Sequence, residues 1–86
     1  MYLIGIDISK YKHDCFIMNE HGQVIRDSFS FDNSQEGFKY LLDVLKSLDR
    51  SQEIKIGLEA TGHYGINLKL FLNDHDYSFM EFNPLL

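Results

Sequence analysis

Cysteine occurs once, at Cys15, so no disulfide can form within this chain, and the expected setting is the reducing cytoplasm. Basic residues are scarce: 8 Lys and Arg stand against 13 Asp and Glu, a net charge of −5. That balance argues against a free-standing electrostatic binder of nucleic acid, which presents a basic patch. It leaves open a nuclease-type site, where carboxylates gather around a divalent metal that restores positive charge. No apolar run approaches the roughly 20 residues that span a bilayer. The N-terminus lacks a basic region followed by a long apolar stretch, so neither a membrane span nor a signal peptide is expected. What is present suits one small globular domain: 86 residues, 44% hydrophobic, with 7 Phe and 5 Tyr.

Apolar periodicity divides the chain into seven elements. Strands are predicted at 2–8 ("YLIGIDI"), 12–19 ("KHDCFIMN") and 23–31 ("QVIRDSFSF"), the last two joined by a turn at "NEHGQ" in which Gly22 can take positive φ. The period then lengthens. Phe38, Leu41, Leu42, Leu45 and Leu48 recur at helical spacing, Asn33 or Ser34 can cap the helix start, and Glu36 favours its N-terminus. A fourth strand follows at 53–59 ("EIKIGLE"), then a second helix marked by Leu68, Phe71, Leu72 and His75, then a fifth strand at 77–82 that Pro84, the only proline, prevents from continuing. Three meandering strands followed by two right-handed crossovers give an α/β fold with a five-stranded mixed sheet in spatial order 3-2-1-4-5 and both helices on one face. Strands one and four meet at the switch point, where open α/β sheets favour ligand sites.

Strands one and four each carry Gly-x-acid near the carboxyl end: Gly5-Ile6-Asp7 and Gly57-Leu58-Glu59. Side chains alternate across a strand, so Asp7 and Glu59 fall together on the face opposite Ile4, Ile6, Ile8, Ile54, Ile56 and Leu58. Neighbouring strands lie about 4.8 Å apart. Two carboxylates at that distance repel unless one is protonated or a cation bridges them, and magnesium, an oxygen-seeking cation, suits such a pair. The plain alternative for either acid is a solvated strand end or a loop cap, and the two glycines can serve close packing or a bulge.

Other residues offer less. His13, His21, His63 and His75 lack zinc-ligand spacing, and Cys15 reads as a core residue. "DHD" at 74–76 could bind metal but reads first as a helix end followed by a loop, and "ATGHYG" lacks the phosphate-cradling P-loop pattern. Ser9, Lys10 and Thr61 are weak candidates for substrate contact; Thr61 is also read as helping to cap the second helix.

"GIDISK", a hairpin, then "GLEATGHYG" and "FNP", in this order and spacing, resemble the start of insertion-sequence transposases of the IS-one-ten type. Their catalytic domain is similar to the Holliday-junction resolvase RuvC and has an RNase H-like fold. The resemblance implies a DEDD tetrad holding two Mg2+ or Mn2+ ions, with Asp7 matching the first acid and Glu59 the second. The last two acids and a C-terminal domain with a nucleophilic serine match nothing in this chain. Residues 1–86 are therefore expected to be the N-terminal portion of the catalytic domain, an incomplete domain, inactive alone. The full protein would cut and transfer DNA strands and would be guided by an element-encoded structured RNA. One sheet face is left without a helix, so a homo-oligomer or an adhesive surface is expected.

Two other readings compete. Sugar kinases and actin-like ATPases also open with a strand ending in Asp, but need a glycine just after it to approach phosphates, and here Ile8-Ser9-Lys10 follows. A non-catalytic binding module that kept only the fold would tolerate replacement of both acids.

Overall fold

A computed structural model describes residues 1–60 and 63–82. The elements run β1 (Tyr2–Ile8), β2 (Lys12–Asn19), β3 (Val24–Asp32), α1 (Gln35–Lys46), β4 (Ile54–Ala60), α2 (Ile66–Asp74) and β5 (Phe79–Phe82). They form a five-stranded sheet in order β3-β2-β1-β4-β5. β1 is antiparallel to β2 and parallel to β4, so chain direction reverses at β1. This is the topology the periodicity predicts. β5 is shorter than expected and begins at Phe79 rather than Tyr77.

One core lies on one face of the sheet. Ile4, Ile6 and Ile8 of β1, Cys15 and Ile17 of β2, and Ile56 and Leu58 of β4 pack with Phe38, Leu41 and Leu45 of α1 and Leu68 and Leu72 of α2. Phe38 meets Phe71 at 5.4 Å between ring centroids, which joins the two helices over the sheet. Each fully buried aliphatic side chain contributes about 1.5–3 kcal/mol. Cys15 is 1% exposed, and burial pushes its thiol up to about 12, so at neutral pH it is a small hydrophobe and no nucleophile.

Local chemistry sets the element ends. Gly22 turns the β2–β3 hairpin at φ +78°. β3 carries register irregularities opposite Cys15, Ile17 and Met18, and its first half leaves the core: Val24 and Ile25 are exposed. Ser34 is the cap of α1, its hydroxyl accepting from the Gly37 amide at 3.2 Å, while Asn33 is free for another task. α2 is capped by Gly65 without a side-chain bond, and the expectation for Thr61 lies outside the described residues. His75 is the C-cap of α2 rather than part of its apolar stripe. Asp76 follows in the left-handed region at φ 63°, with Asp76 N–H bonded to Asn73 and Tyr77 N–H to Leu72. This double closure ends the helix and accounts for "DHD".

Candidate functional site

The bare face of the sheet carries the candidate site. Gly5, Asp7 and Glu59 are exposed, while Ile6 and Leu58 between them are buried on the opposite side. In the parallel β1–β4 register Gly5 stands beside Gly57 and Asp7 beside Glu59. The structure therefore brings together the two acids that the sequence pairs. Among the described residues neither enters an ion pair. Oxygen-only donors without a competing cation suit a hard divalent ion.

A third acid joins the row. Asp14 of β2 stands directly across from Asp7. Its Oδ1 accepts a 2.5 Å bond from Ser30 Oγ on β3. Sequence reasoning missed it, although a signal was present: if Cys15 faces the core, alternation puts Asp14 on the acid face. Among the described residues no three metal-ligating side chains converge closely enough to hold an ion. The row supplies donors of the right kind, and a complete cage would need others.

The same face holds an open trough of about 830 Å³ that runs from the acids over Gly5 and Gly57 toward Phe16, Met18, Met80 and Phe82. A Cβ on Gly5 would meet nothing within 4 Å, whereas one on Gly57 would come within 2.7 Å of the Phe82 ring. The glycines form the floor of the trough and Phe82 one wall.

The weak candidates separate. Ser9 Oγ is committed to the Lys12 carbonyl at 2.5 Å, closing its own turn. Lys10 is exposed, with its ammonium 5.1 Å from the Tyr11 ring centre. Thr61 lies outside the described residues.

Behind the acid ends of the strands is a polar group the sequence did not single out. His13 is 0% exposed, and its Nδ1 accepts the Ser9 N–H at 3.2 Å. That bond fixes the proton on Nε2. Phe31 lies edge-on to the ring and Phe38 parallel to it. Burial holds the imidazole below the usual histidine range, with Asn33, Asp14 and Asp7 pulling the other way. The consequence for stability has a definite sign. The unfolded chain takes up this proton near pH 6.5, and the folded chain resists until lower pH. The contribution is full above about pH 6.5 and is lost as pH falls through the folded value, at about 1.4 kcal/mol per unit of depression. Urea melts at pH 7, 6 and 5 should therefore show a steeper loss for the wild type than for His13→Gln. Parallel losses would show that His13 does not carry the effect.

A family model described as "Transposase", that of DEDD transposases of the IS-one-ten (IS110) type, matches residues 4–86. Among curated proteins no relative matches. Solved structures of the Aquifex aeolicus Ppx/GppA enzyme are similar in fold. One covers 98% of this chain and 36% of its own at 12% identity and a TM-score of 0.50. The type II variant of the same phosphatase gives 13% identity over 98% of this chain and 36% of its own, with a TM-score of 0.48. The chain thus spans about a third of the length of the solved structures it matches. Identities this low speak to the fold alone.

Proposed function

The chain belongs to the DEDD transposase family of the IS110 type and has its small RNase H-like α/β fold, and on that premise we propose that it is the N-terminal portion of a RuvC-like catalytic domain. In the longer protein this domain cuts and joins DNA strands during transposition. The observation that carries the reading is the register of Asp7 beside Glu59 on the exposed face, at the strands' carboxyl ends and the switch point of the sheet.

Asp7 and Glu59 are the residues that would hold the metal, two Mg2+ or Mn2+ ions in the completed site. Bound there, a divalent cation would polarise a phosphodiester and favour deprotonation of the attacking group. The side chains do the rest. Asp7, on the central strand, has acid neighbours on both sides and is the natural bridging ligand; Glu59 reaches in from one side. Without a cation this row repels a phosphate backbone, so engagement of DNA at these strand ends depends on metal. Structured RNA and further copies of the protein are the other partners of this reading, and the remaining acids come from elsewhere in the longer protein.

Manganese tests it in the 86-residue chain. Mn2+ titrated into 15N-labelled protein should broaden amide signals around Asp7 and Glu59 first, and Asp7→Asn should abolish that broadening. Broadening centred instead on Asp74 and Asp76, or none at millimolar Mn2+, would sink the proposal.

A further inference from the structure

The two loops that leave the acid-bearing strands are tied by one side chain. Asn33 Nδ2 donates to the Lys10 carbonyl at 3.1 Å, in the β1–β2 loop, and to the Tyr64 carbonyl at 3.3 Å, between β4 and α2. Its backbone N–H donates to Tyr11 at 2.9 Å. Lys10 is three residues past Asp7, and Tyr64 five past Glu59.

The orientation of this amide is determined. Both contacts of its nitrogen are to carbonyls, so that atom must be the NH2 group and Oδ1 must point the other way. Oδ1 is buried without a hydrogen-bond partner. The other buried orphan among the described residues is His13 Nε2. One is an acceptor, and the other carries the proton because Nδ1 is occupied by Ser9 N–H. A buried polar atom left unpaired is destabilising. The Asn33 side chain lies close enough to act on the His13 imidazole, so a small adjustment would let the two complementary orphans satisfy each other. Ser9 is bonded to His13, and Asn33 to Lys10 and Tyr64; pairing of the two orphans would join these into one chain.

We propose that Asn33 is a positioning residue for the acid pair: it clamps the β1–β2 loop to the segment after β4, and His13 holds the clamp from the core. The clamp sets how the carboxyl ends of β1 and β4 are splayed, and so where Asp7 and Glu59 point. It depends on the proposed function only for what the acids do; the clamp itself is a statement about the loops.

Two measurements on Asn33→Ala separate these levels. The first needs no metal. Backbone order parameters from 15N relaxation should fall at Lys10, Tyr11, His63 and Tyr64, toward the flexible range below about 0.6, with β1 and β4 unchanged. Unchanged order parameters at the loops overturn the clamp whatever the metal data show. The second is Mn2+ affinity. Loss of a residue that orients metal ligands costs roughly 10–100-fold, so about tenfold weaker binding is expected in protein that remains folded. A mobile loop with wild-type affinity overturns the positioning role and leaves the proposed function standing. A wild type that binds no Mn2+ at the acids defeats the proposed function and with it the positioning role, while the clamp is still decided by the relaxation data. Asn33→Ser, short enough for the same turn and unable to reach both carbonyls, replaces Asn33→Ala if that variant does not fold.

Discussion

Gly37→Ala is expected to destabilise this protein by about 2–4 kcal/mol, although alanine is the best helix former and Gly37 lies within α1. Propensity alone predicts a gain of about 1 kcal/mol. Packing reverses it. A Cβ on Gly37 would stand 1.9 Å from the Asp32 carbonyl oxygen and 2.7 Å from the Asp32 carbonyl carbon and nitrogen. These are backbone atoms of the strand end that feeds the helix, so no rotamer change can clear them. The relief available is movement of the β3–α1 turn. That turn holds the Ser34 cap and Asn33, so its displacement also loosens the helix start and the loops Asn33 ties. In a domain of this size each kcal/mol moves the melting temperature by about 4–8 °C. The expected drop is roughly 8–32 °C, read by thermal denaturation. Gly5→Ala is the control: its Cβ would meet nothing within 4 Å, and in an extended strand alanine should be neutral or slightly stabilising. A melting temperature for Gly37→Ala at or above wild type would show that the approach of helix to strand is not tight.

The contrast between these two glycines marks what periodicity can and cannot reveal. Alternation and helical spacing are one-dimensional signals. They suffice for the sheet order, because Ile4, Ile6 and Ile8 must face the helices and Asp7 must then face away. They also suffice for the acid pair, since a parallel β1–β4 neighbour relation with Gly-x-acid on each strand leaves few registers. Gly37 gives no such signal, because its constraint comes from Asp32, a backbone neighbour whose position depends on the angle of the turn. Asn33 was legible only as a candidate helix cap. Its actual partners, Lys10 and Tyr64, are 23 and 31 residues away, and no local pattern encodes them. The burial of His13 was overlooked for a related reason: spacing gave it no zinc partner, but parity with Cys15 already places it in the core. Nor does alternation show the ragged pairing of β3, whose first half leaves the core at Val24 and Ile25.

Asp7→Asn should move stability and metal binding in opposite directions, and the size of the second effect is the largest expected in the molecule. Asp7 stands between Asp14 on β2 and Glu59 on β4. Like charges directly opposite on neighbouring strands are destabilising, and such cross-strand pairs are worth about 0.2–1 kcal/mol each. Removing the central charge relieves both contacts at once. Metal-free Asp7→Asn should therefore melt higher than wild type, by roughly 0.5–1.5 kcal/mol at low salt, with the gain shrinking as salt screens the exposed row. Glu59→Gln and Asp14→Asn each relieve one contact and should gain less. Mn2+ affinity, measured by calorimetry, should fall roughly 100-fold or more in Asp7→Asn, beyond the ~10–100-fold typical of losing a residue that only supports a ligand. Glu59→Gln should follow. Asp14→Asn should come last, because its Oδ1 is already engaged by Ser30. This pattern is what a binding site built against the stability of its own fold produces. If Asp7→Asn lowers stability instead, Asp7 is a structural residue with a partner in the apo fold. If stability rises and Mn2+ affinity is unchanged, the row is only a solvated sheet end, and the family's reaction does not pass through it here.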